Sequence, residues 1–88
     1  MTTSLVSTEP ATGEELWTGQ IGDAEAEVAA ARASWADWAS RSHSYRGETL
    51  RRFANVVRAN EEKFADLIAR ETGKPAWEAK TEIEAVIN

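Results

Sequence analysis

The stretch Arg70-Glu71-Thr72-Gly73-Lys74-Pro75-Ala76-Trp77-Glu78 constrains the fold most, because it obliges one helix to stop and a second to start. Glycine reaches the left-handed backbone that closes a helix, and proline, lacking an N–H, suits a first helical turn. Lys74 falls near the negative end of the preceding helix dipole. A Gly-Lys pair also invites a phosphate-loop reading, but GxxxxGK[ST] needs a glycine five residues before the second glycine and a hydroxyl after the lysine. Those positions hold Ile68 and Pro75. The junction reads as a helix stop and restart, not as an anion cradle.

Working outward from this junction, apolar residues recur at helical spacing in four segments. The spacing predicts helices over about 23–40, 44–59, 61–72 and 75–88. Their stripes are Val28, Ala31, Trp35 and Trp38; Leu50, Phe53, Ala54 and Val57; Phe64, Leu67 and Ile68; and Ala79, Ile83, Val86 and Ile87. Each stripe reads as a surface for packing on one neighbour. Asp23, Ser44 and Asn60 are the expected caps, and Glu61 and Glu62 carry the charge that suits a helix start. Ahead of the helices, residues 5–21 hold two strand-forming runs around Pro10-Ala11-Thr12-Gly13, which predicts a β-hairpin. A two-stranded hairpin is marginal alone, so it should lie on something else. The expected fold is mainly α, about four helices with a short N-terminal β-hairpin. The final residues, EIEAVIN, remain in helical register without a closing signal, which reads as a chain that stops inside an element.

Charge and composition narrow the function. The net charge is −5 and the pI about 4.8, which argues against nucleic acid and anionic membranes as partners. No run approaches a membrane-spanning helix and the start lacks a signal peptide's regions, so a cytoplasmic location is expected. There is no cysteine, hence no thiolate nucleophile or sulfur-ligated metal. His43 is the single histidine and sits in a polar turn, so no metal site is expected; Ser42-His43-Ser44 is too local to be a triad. Asp37/Arg41, Glu48/Arg52 and Asp66/Arg70 are i, i+4 pairs that mark solvated helix faces. Two charges fall on apolar stripes instead: Arg46 lies four residues before Leu50, and Glu71 four after Leu67. A lone buried charge is costly, so the expectation is an Arg46–Glu71 ion pair joining the second and third helices.

The order of motifs carries a resemblance. PATGEELW, a Trp-containing helix, YRGETLRRFA and ARETGKPAWEAKTEI together resemble the N-terminal segment of the aldehyde dehydrogenase superfamily, over about Thr8 to Asn88. GEELWTG and ARETGKPAWEAKTEI look most like the branch that oxidises N-succinylglutamate semialdehyde to N-succinylglutamate with NAD in arginine breakdown. Glu9 stands where the family often has Asn. The resemblance implies a parent enzyme with a covalent mechanism, in which a thiolate attacks the aldehyde carbon, hydride passes to NAD and water releases the acid. It also implies that the chain is a fragment of a larger α/β coenzyme-binding domain, which this segment wraps, with Val86 or Asn88 near the mouth of the substrate tunnel. The family's cysteine, general-base glutamate and cofactor loop match nothing here, so no catalytic, cofactor-binding or metal-binding residue is assigned and the segment alone is expected to be inactive. Its partner is the rest of the parent enzyme or a second copy meeting its apolar stripes. The same Trp-rich stripes also suit a freestanding helical interaction module.

Overall fold

The computed structural model describes residues 4–88, and within them the chain forms a two-stranded antiparallel hairpin followed by four helices. Strands β1 (Ser4–Thr8) and β2 (Glu15–Gln20) pair with Ser7 opposite Trp17 and Thr8 opposite Glu15, and a bulge falls between Ser7 and Thr8. The turn closes through Gly13 N–H to Glu9 O at 2.8 Å and Glu9 N–H to Glu14 O at 2.8 Å. Gly13 adopts φ 78°, a backbone that glycine reaches without Cβ strain.

Helix α1 (Ala24–Ser40) starts where the Asp23 carboxylate accepts from Ala26 N–H at 3.2 Å. Helix α2 (His43–Ala59) is capped by Ser42, whose hydroxyl oxygen accepts from Tyr45 N–H at 3.0 Å. The cap expected at Ser44 therefore moves two residues earlier. Composition alone does not separate the two serines, and the extended backbone of Ser42 is what aims its oxygen at the third helical N–H. Asn60 also departs from expectation. Its side chain donates back to Val56 O at 2.8 Å and closes α2, while its carbonyl receives Phe64 N–H and starts α3 (Glu61–Thr72). Gly73 ends α3 at φ 79°, its N–H bonded to Ala69 O at 2.9 Å. Pro75 then leads into α4 (Ala76–Ile87), its carbonyl receiving Glu78 and Ala79 N–H.

Packing is concentrated on α4, which lies against both α2 and α3. Ala79 and Ile83 on α4 and Val57 on α2 are the buried apolar residues, flanked by half-buried Ala54, Phe64, Leu67, Ile68 and Ile87. The other stripes lack cover. No residue of α1 is buried, Trp35 is 68% exposed, and Leu50 and Phe53 are 61% and 58% exposed. Helix α1 touches the remainder mainly at its end, where Trp38 meets Tyr45 edge-on at 6.5 Å and Arg41 lies over the Tyr45 ring at 4.8 Å. The chain is thus a thin layer, 48 × 38 × 15 Å. None of its helices is long and apolar enough to cross a membrane among the described residues.

Candidate functional site

Two neighbouring residues in the last turn of α3 gather most of the long-range polar contacts. Glu71 accepts from the Ser7 hydroxyl at 2.8 Å and from the Trp17 indole N–H at 3.0 Å. Arg70 donates from Nε to Glu9 at 2.9 Å and lies 3.6 Å from the Glu14 carboxylate. Cross-strand partners project to the same face of a hairpin, so Ser7 and Trp17 reach one carboxylate together. Glu9 and Glu14 flank the turn and reach the guanidinium.

The expected Arg46–Glu71 ion pair is not formed. Arg46 donates to the carbonyls of Ala39 and Arg41 at the exposed end of α1, and its other terminal nitrogen lies 3.0 Å from His43 Nδ1. Counting only the stripes of α2 and α3 left out nearer partners. Arg46 lies in the first turn of α2, close to helix-end carbonyls that have no intrahelical donor, and Glu71 lies under the hairpin's donors. Trp17, Ser7, Glu9 and Glu14 escaped the sequence reading for the same reason, although the hairpin turn was a visible signal, and Arg70, expected to pair with Asp66, turns to Glu9 and Glu14 instead.

The chemistry of Glu71 is that of an acceptor, not a base. The Trp17 N–H first, and the Ser7 hydroxyl second, hold its carboxyl below the usual carboxylate range. Lys74 is engaged with Glu82 of α4, and this pairing raises its pKa. No group of three or more metal-ligating side chains occurs among the described residues. A shallow concavity of about 390 Å³ along α1 is lined by Ala24, Glu25, Val28, Ala29 and Arg32, and because all five belong to one helix nothing converges on it. Val86 is 58% exposed in the last turn of α4, and Asn88 is exposed with its N–H bonded to Glu84 O.

The Aldehyde dehydrogenase family model matches residues 2–88. The chain belongs to the aldehyde dehydrogenase family. It is 59% identical, over all of its length, to an N-succinylglutamate 5-semialdehyde dehydrogenase of Sphingopyxis alaskensis, and covers 18% of that protein. Proteins of the same name from Novosphingobium aromaticivorans and Escherichia coli K12 are 52% and 44% identical over 96% and 97% of the chain, again with 18% of the relative covered. The chain therefore spans less than a fifth of the length of these relatives.

The family raises the question of NAD, and the Gly73-Lys74 junction does not fit it. A dinucleotide site places glycines at the positive, N-terminal end of a helix, where backbone N–H groups meet the pyrophosphate. Gly73 closes the C-terminal end of α3 instead. A Cβ built on it meets nothing within 4 Å, so no close approach demands a glycine there beyond its positive φ.

Proposed function

We propose that this chain is the N-terminal structural segment of an NAD-dependent aldehyde dehydrogenase that oxidises N-succinylglutamate semialdehyde to N-succinylglutamate in the cytoplasm. The observation that carries the reading is 59% identity over the whole chain to an enzyme named for that substrate. No step of the reaction is assigned to a residue of this segment. It contributes framework: the apolar faces of α1 and α2, bare within the chain, are surfaces for the remainder of the enzyme. Val86 and Asn88, exposed at the end of α4, are the residues proposed to approach the substrate entrance.

The test is NADH formation with N-succinylglutamate semialdehyde as substrate. The full-length gene product is expected to form NADH and the 88-residue chain to form none. Turnover by the 88 residues alone would overturn the framework role. Absence of turnover by a folded full-length protein, with activity toward another aldehyde, would overturn the substrate.

A further inference from the structure

The hairpin has little besides side chains to hold it in place. Among the described residues the closely packed element pairs are β1 with β2, α3 with α4 and α2 with α4, and none of these three joins a strand to a helix. Leu5 and Val6 are 56% and 45% exposed, so apolar burial does not anchor β1. The connection from β2 to α1, Ile21-Gly22-Asp23, has no regular structure, and a Cβ at Gly22 would meet nothing within 4 Å. The hairpin is thus an arm on an open joint, held at its far side by Arg70 and Glu71.

One further detail shows that the holding contact is shaped for Trp17. A Cβ at Gly19 would lie 2.8 Å from Trp17 Cζ3, well inside contact distance. Glycine at this position lets the indole fold along β2, and in that pose its N–H reaches Glu71 at 3.0 Å.

We propose that Glu71 is a clasp that docks the hairpin on α3 through the cross-strand pair Ser7 and Trp17, and that breaking this contact releases the hairpin as a unit while the α2/α3/α4 layer stays folded. Arg70, through Glu9 and Glu14, is the second catch. The inference concerns the architecture of the chain and stands independently of which aldehyde the parent enzyme uses.

Amide hydrogen exchange, followed on peptides covering 4–20 and on peptides from α2 and α4, tests it in the 88-residue chain and in the full-length protein. Glu71→Ala is expected to speed exchange of the hairpin amides by roughly threefold or more, with the helices unchanged. Trp17→Phe keeps the ring but removes the donor, and is expected to give a smaller acceleration confined to the same peptides. Gly19→Ala should act like Trp17→Phe by displacing the indole. Unaltered hairpin exchange in both Glu71→Ala and Trp17→Phe would overturn the clasp. So would acceleration of α2 and α4 together with the hairpin, because Glu71 would then be supporting the helical layer itself.

Discussion

A carboxylate in the last turn of a helix sits in an unfavourable field, because the dipole presents its negative end there. Glu71 is in that position, and the Trp17 indole N–H first and the Ser7 hydroxyl second hold its carboxyl below the usual range. A group whose folded pKa is depressed contributes stability above its unfolded value and loses it as pH falls through the folded one. Hairpin docking is therefore expected to be complete near neutral pH and to weaken on acidification below the ordinary carboxylate range. Of the charged groups around the clasp, Arg70 faces Glu9 and Glu14, while Lys74 is turned to Glu82. Exchange of the strand amides, normalised for its intrinsic pH dependence, should show this loosening in the wild type. In Glu71→Gln, which keeps an acceptor but cannot ionise, the share due to Glu71 should disappear. A pH profile identical in the two proteins would overturn the assignment to Glu71. Ser42 makes a simpler case. Replacing the cap by alanine leaves a helical N–H without its partner, and Ser42→Ala is expected to destabilise α2 by about 1 kcal/mol, seen as a lower unfolding midpoint, with Ser44→Ala much closer to neutral.

Helix α4 is the element on which the helical layer depends, since among the described residues it packs closely against both α2 and α3. Ile83 is 5% exposed between them, and Ile83→Ala is expected to cost about 2–4 kcal/mol in denaturant unfolding. Trp35→Ala removes a larger side chain from an exposed helix face, and in the 88-residue chain should change stability by no more than about 0.5 kcal/mol. The ranking is the reverse of what side-chain size suggests. Elements of this kind were legible in the sequence because their signals are local: the 3.6 period, Gly73 before Pro75, Asp23 ahead of α1 and Pro10 to Gly13 between two strand-forming runs all act within a few residues. The stripe of α4 announced Ala79 and Ile83 as core. What was not legible depended on which elements meet. Periodicity marks Val28, Trp35, Leu50 and Phe53 as a face that wants cover, and says nothing of whether the cover belongs to the same chain. The Arg46–Glu71 expectation failed at the same point, because pairing two charged residues on neighbouring helices requires knowing where the hairpin lies.

The molecule as a whole is a layer and not a ball. Its radius of gyration is 16.9 Å, where a compact chain of this length would have about 12 Å. Trp35 and Trp77 are each 68% exposed, Phe53 58% and Val56 60%, a density of bare apolar surface that a self-contained protein avoids. Because the chain spans 18% of relatives 44–59% identical to it, the cover we propose is the remainder of such an enzyme. If that is the occupant, Trp35, Trp38 and Trp77 change environment between the two forms of the protein. In the 88-residue chain, single-Trp variants retaining one of the three should be readily quenched by acrylamide, bind a hydrophobic dye and associate as concentration rises. In the full-length protein the same tryptophans should be shielded from the quencher and the dye signal should fall. A monomeric 88-residue chain with a sharp, concentration-independent unfolding transition, and tryptophans equally accessible in both forms, would instead identify a self-sufficient helical module whose bare faces await a different partner.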